Sequence, residues 1–181
     1  MNQGRIIVIT GSPGTGKTTT ASIVAKESDM DKSVHMHTDD FFHYLSKGAI
    51  PPHLPESNKQ NLVVIEAFLE AAKRYARGGY DVIVDGIVGP WFLEPWLGAA
   101  RKGYELHYMV LRASREITLR RAVERSKLDL KTNTELVEVM WEQFCDLGKY
   151  EANVIDTTEQ TVSETVQSIK AHLKSGQNRI K

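Results

Sequence analysis

The stretch Val8–Ala21, "VITGSPGTGKTTTA", decides how the chain is read. A branched apolar run leads into a glycine-rich turn, a lysine and a string of threonines, the order of a buried strand, an anion cradle and a helix start. From Gly11 to Thr18 the pattern G-x-x-x-x-G-K-T is complete. Gly11, Gly14 and Gly16 permit backbone angles that turn successive N–H groups inward at the positive end of a helix. Lys17 can reach the terminal phosphates of a nucleotide and the Thr18 hydroxyl can ligate magnesium, with Ser12, Pro13, Thr15 and Thr19 completing the expected contacts. Whether the phosphate is hydrolysed, transferred or merely held has to be read elsewhere.

The 181 residues fit one domain, and 23 Lys and Arg balance 23 Asp and Glu. A zero net charge excludes a global field that would draw nucleic acid or an anionic membrane, so any basic site is local. The single cysteine, Cys145, excludes an internal disulfide framework. Its place in "ELVEVMWEQFCDL" predicts a buried small hydrophobe. The first apolar run, "IIVI", is too short for a secretory core, and no run has the length of a membrane span, so a cytoplasmic location is expected.

Five short runs rich in branched residues recur: "RIIVIT", "SVHMHT", "YDVIVDG", "ELHYMVL" and "ANVIDTT". Segments of helical spacing separate them, which predicts an α/β fold with a parallel sheet covered on both faces. Ser57 with Gln60 has capping-box spacing and opens a helix whose stripe is Leu62, Ile65, Leu69, Ala72 and Ala76, stopped by Gly78 and Gly79. Thr132 with Glu135 opens another, with Leu136, Val139, Met140 and Leu147 on its stripe. Thr161 with Glu164 opens the last, carrying Val162, Val166, Ile169 and Leu173, and "SGQNRIK" reads as a frayed tail. The proline-bearing insertion "SKGAIPPHLPES", residues 46–57, is either a substrate lid or a plain connector.

Ligands of parallel sheets sit beyond the carboxyl edge, so the strand ends carry the chemistry. The second strand ends in "HTDDFFH", where Asp39 and Asp40 would project toward a terminal phosphate. One can orient or deprotonate an acceptor hydroxyl while the other holds a magnesium-bound water; helix capping is the alternative. The third strand delivers Asp85 to the metal position, followed by Trp91 and Phe92 as a substrate wall or as packing for a helix start. After the fourth strand, Arg121 and Arg125 are four apart and share a helix face, where both could meet the charge of a transferring phosphoryl group. The competing reading is a solvated face paired with Glu116 and Glu124. His35 and His37 alternate on one face of the second strand; with no Cys or third His nearby, an ordinary strand role outweighs a metal site.

"GSPGTGKTT", "TDDFF", "VDG", "RRAVER" and "VIDTT" together resemble the small P-loop kinases, a family that includes gluconate kinase, shikimate kinase, chloramphenicol phosphotransferase and the zeta-toxin sugar-nucleotide kinases. The resemblance spans almost the whole chain. It implies a three-layer α/β/α fold with a five-stranded parallel sheet in the order 2-3-1-4-5. Residues 1–175 would form one kinase domain with a lid around 121–133, and 176–181 a C-terminal tail. It further implies ATP and Mg2+, a hydroxyl-bearing small-molecule acceptor, and adenine lying beside Asp156, Thr157 and Thr158. "DDFF" resembles the phosphotransferase and toxin branches, with Asp39 as base; "DFFH" resembles the gluconate branch, with Asp40 as base. The lid continues "SKLDLK", without the glycine-histidine-phenylalanine of gluconate kinases, and "DGIVGPWFLEPW" lacks their basic run.

The expectation is therefore an ATP-dependent phosphotransferase acting on an alcohol. A GTPase is excluded, because "NKQN" at Asn58–Asn61 has the wrong last residue for a guanine-reading N-K-x-D. A nucleotide-binding ATPase or switch without an acceptor is the competing class.

Overall fold

The computed structural model describes residues 3–125 and 130–181. The five apolar runs become parallel strands: β1 (Ile6–Thr10), β2 (Ser33–His37), β3 (Asp81–Asp85), β4 (Leu106–Arg112) and β5 (Val154–Asp156). Their order across the sheet is β2-β3-β1-β4-β5, the order the family resemblance implies. Central β1 is wholly buried and alternates between two helical layers. Ile6 and Val8 pack toward α3 (Asn58–Arg77) and α4 (Glu94–Arg101); Ile7 and Ile9 pack toward α1 (Lys17–Lys26) and α7 (Val162–Ser175). Burial on both faces is why β1, β3 and β4 read as largely apolar runs, whereas the half-buried β2, at the sheet edge, carries two histidines.

Three further helices follow the carboxyl ends of β2 and β4. Helix α2 (Thr38–His43) follows β2 directly, and α5 (Arg115–Arg125) follows β4 and packs on α6 (Leu130–Gln143). Among the described residues no helix is long and apolar enough to cross a membrane.

Several local expectations change. The end of the chain is not frayed throughout: β6 (Arg179–Ile180) pairs antiparallel with the start of β4, giving a sixth strand, and Asn178 beside it is wholly buried. Ser57 and Gln60 form no capping box. Ser57 Oγ donates to the Pro52 and Leu54 carbonyls, while the Gln60 amide clamps both the N–H and the C=O of Ile50. The 46–57 insertion is thereby fastened to the first turn of α3. Leu62, Leu136 and Val139 are exposed, and Asn61, Val64 and Val137 are buried in their regions. The box at Thr161 and Glu164 does form, with both reciprocal bonds present. Cys145 is exposed, because α6 ends at Gln143 and the helical period stops before it.

Candidate active site

The glycine loop Gly11–Gly16 joins β1 to α1 at the carboxyl edge. Gly14 has φ +84°, and a Cβ there would lie 2.7 Å from the Thr118 carbonyl oxygen of α5. Only glycine lets the loop approach that helix so closely. Lys17 Nζ donates to the Ser12 carbonyl over 2.9 Å and Thr15 Oγ1 donates to the same oxygen over 2.9 Å. The lysine therefore lies folded along the loop it is expected to serve.

Asp85, at the end of β3, is wholly buried and is the hub of the site. Thr18 Oγ1 donates to its Oδ2 over 2.6 Å, His35 Nε2 lies 2.6 Å from its Oδ1, and His37 Nδ1 lies 2.9 Å from its Oδ2. Parallel pairing of β2 with β3 puts His37 in register with Asp85, which accounts for the contact. Burial pushes the Asp85 carboxyl up, but hydrogen bonds from His35 and Thr18 and the nearness of His37 outweigh it and hold the group below its usual range. A buried carboxylate beside a hydroxyl is the hard-oxygen pair magnesium accepts, so Thr18 and Asp85 fit the ion expected of them.

The two acidic candidates on α2 differ. Both are exposed, but Asp39 Oδ2 lies 3.3 Å from His37 Nε2, whereas Asp40 makes no ion pair among the described residues. The start of α2 is held by Gly86, at φ +156°, where a Cβ would meet Thr38 Oγ1 at 1.8 Å. After it, the Val88 N–H donates to Thr10 Oγ1 and the Tyr108 hydroxyl donates to the Val88 carbonyl, pinning the loop beyond β3 to β1 and β4. Phe92 packs on the core, while Trp91 stays half-exposed, its ring edge-on to Phe144 at 5.4 Å.

A cavity of about 210 Å³ opens on the other side of the glycine loop. Gly14, Thr15 and Gly16 meet Arg121, Thr157 and Gln160 there. Thr157 Oγ1 and Gln160 Oε1 are buried atoms with no hydrogen-bond partner among the described residues. Gln160 Nε2 donates to Ser168 Oγ over 3.3 Å, which turns the oxygen of the amide away from Ser168. A hydroxyl that can donate or accept and an amide oxygen that accepts, both unpaired beside an anion-binding loop, are suited to a polar ligand.

Of the other expected contacts, Thr158 Oγ1 accepts from the Ser114 N–H and Asp156 accepts from the Thr158 N–H, so both fasten their loop and do not line the cavity. Ser12 is buried, Pro13 half-buried and Thr19 exposed. Arg112 and Arg115 are taken up by ion pairs with Glu151 and Glu138, and Arg121 pairs with neither Glu116 nor Glu124 among the described residues. The side chain of Arg125, and residues 126–129 of the expected lid, lie outside the described residues.

A family model described as an AAA domain matches residues 7–142. The chain belongs to this AAA-domain family. Its fold is shared by solved small-molecule kinases. The Mycobacterium tuberculosis APS kinase CysC, solved with AMPPNP and APS, superposes with a TM-score of 0.72 at 16% identity, over 96% of this chain and 99% of that one. A gluconokinase from Sinorhizobium meliloti 1021 gives 0.67 at 19% identity, over 96% and 93%. The Deinococcus radiodurans tunicamycin resistance protein gives 0.67 at 21% identity, over 94% and 96%. No curated protein matches the chain. At these identities the likeness is one of fold.

Three features of this AAA-domain chain escape a reading of its sequence. Gln160 and Thr20 line the cavity but belong to no motif. The two histidines serve Asp85, and the signal available was their alternation beside a strand ending in an acid.

Proposed function

We propose that the protein is an ATP-dependent small-molecule kinase that transfers the γ-phosphoryl group to an acceptor hydroxyl. The observation that carries this reading is the convergence at one sheet edge of Thr18, buried Asp85 and, through His37, Asp39. A pure nucleotide switch uses a carboxylate such as Asp85 for its metal but has no use for a second one, Asp39, linked to it through His37.

Lys17 and the N–H groups of the glycine loop hold the phosphates, and Thr18 with Asp85 holds magnesium directly or through water. When bound, magnesium supplies charge neutralisation at the terminal phosphates. Asp39 accepts the proton of the acceptor hydroxyl as its oxygen bonds to the γ-phosphorus and the bond from that phosphorus to the bridging oxygen of ADP breaks. The contact with His37 supports Asp39 over Asp40 as this base. Arg121 borders the cavity with Thr157 and Gln160, which supports a contact on the nucleoside side; Arg125, one turn further along α5, is left to meet the charge of the moving phosphoryl group. The acceptor site would lie between α2, the 46–57 insertion and Trp91, a surface of aromatic and few charged groups.

The test is ADP release from MgATP across a panel of sugars, nucleosides, aminoglycosides, phenicols and metabolite alcohols, with Asp39→Asn as the blank. A compound that raises turnover only with the intact protein establishes the kinase and its acceptor class. ATP binding with no acceptor stimulation across the panel favours a regulatory switch.

A further inference from the structure

His37 closes β2, and its ring stands between two carboxylates. Nδ1 is 2.9 Å from Asp85 Oδ2 and Nε2 is 3.3 Å from Asp39 Oδ2. The two acids are unlike in freedom. Asp85 is wholly buried and held by His35 and Thr18 as well, whereas the Asp39 side chain is 53% exposed on the first turn of α2. An exposed aspartate samples several rotamers, and a proton acceptor works only within hydrogen-bond reach of the hydroxyl it serves. Thr38, seated against Gly86, fixes the backbone of that turn but not the carboxylate that follows it.

We propose that His37 is a positioning residue that tethers the Asp39 carboxylate to Asp85. One ring then fixes the distance between the group that prepares the acceptor and the group that serves the phosphate end of the site. The tether rests on geometry alone; its consequence for turnover rests on the kinase reading. Asp40, next in the chain, has no such link among the described residues.

The tether is tested first by two-bond 1H–15N spectra of the histidine rings in the full chain at one fixed pH, with the His37 signals identified by their loss in His37→Asn. Asp39→Asn is expected to move the His37 Nε2 resonance, and Asp40→Asn to leave it in place. An Nε2 signal unmoved by Asp39→Asn overturns the proposal. The second test is a double-mutant cycle of His37→Asn and Asp39→Asn on ADP release from MgATP, using the best acceptor of the panel, or water where none is found. An asparagine amide nitrogen can stand where Nδ1 stands and keep the Asp85 contact, but it cannot reach Asp39. His37→Asn alone is expected to lower kcat about tenfold with the ATP Kd unchanged, and to have no further effect once Asp39 is Asn. Independent, multiplying effects overturn the proposal, as does a loss of ATP binding in step with kcat. A moved Nε2 signal together with turnover indifferent to Asp39→Asn separates the two ideas, because the tether then stands while the kinase reading fails.

Discussion

Thr18 Oγ1 donates to Asp85 Oδ2 over 2.6 Å, joining the first turn of α1 to the carboxyl end of β3 through 67 positions of sequence. The bond holds together the two oxygens that the proposed function assigns to magnesium. Thr18→Val keeps the volume and removes the hydroxyl. Calorimetric titration with ATP is expected to show that added Mg2+ no longer tightens binding, a loss on the order of tenfold, while ATP binding without the ion is unchanged. Equal magnesium dependence in the variant would remove Thr18 from the metal site.

The same carboxylate sets a pH dependence. Its folded-state pKa lies below its usual value, so its contribution to stability is present above the unfolded value of about 3.9 and is lost as pH falls through the folded one. Urea midpoints of the wild type and Asp85→Asn are expected to converge as the pH is lowered from 6 toward 3. A gap of constant size would mean that Asp85 stabilises the fold only as a hydrogen-bonded shape, not as a charge.

Arg121 borders the cavity beside Thr157 and Gln160, and its guanidinium is a planar cation suited to a base or to phosphate. Arg121→Ala is expected to raise the ATP Kd about tenfold and to change kcat less. A fall in kcat of about a thousandfold at unchanged Kd would instead assign Arg121 to the phosphoryl group in flight.

The central strands are readable because both faces of the sheet are buried there, and Ile6–Ile9 record that in four consecutive apolar residues. Strand β6 is not, since two residues paired only through Leu106 and His107 leave no period to detect. The stripe of α3 begins at Asn61, not Leu62. That asparagine is buried because its amide donates to the Pro52 carbonyl and Ser57 Oγ, partners supplied by the insertion and invisible to a helical wheel. In the site, the motif residues were found by spacing. The roles of His35 and His37 depend on strand register, 50 and 48 positions away from Asp85, which spacing within one strand does not carry.

Gln160 and Thr157 line the cavity, and Gln160 Oε1 and Thr157 Oγ1 are buried with no partner among the described residues. An unpaired amide oxygen takes a donor, which adenine supplies at its six position as the exocyclic amine, whereas guanine has a keto oxygen there. ATP is therefore expected to bind better than GTP. Gln160→Ala should weaken ATP by about tenfold, the worth of one hydrogen bond of about 1.4 kcal/mol, and leave GTP unchanged. Competition of each nucleotide against a fluorescent ATP analogue reads both affinities. Equal wild-type affinity for the two would mean that the amide does not read the base.

At the opposite end of β3, Arg5 grips Asp81 with two bonds, Nε to Oδ1 at 3.0 Å and Nη2 to Oδ2 at 2.8 Å, and Ser28 Oγ adds a third at 2.6 Å. The Asp81 side chain is 2% exposed and that of Arg5 is 18%, so the pair is shielded from solvent and is not a screened surface contact. Removing one partner of such a pair leaves a buried charge uncompensated, at a cost of about 3 kcal/mol. Arg5→Ala should lower Tm by roughly 6–12 °C for a chain of this length. Combining it with Asp81→Leu should recover part of the loss, because the stranded carboxylate is then gone. A double variant no more stable than Arg5→Ala would show that the arginine acts through its other contacts, the ion pair with Asp29 included, and not through Asp81. Either result leaves the catalytic edge untouched, since Arg5 and Asp81 sit at the amino ends of the strands whose carboxyl ends carry Thr10 and Asp85.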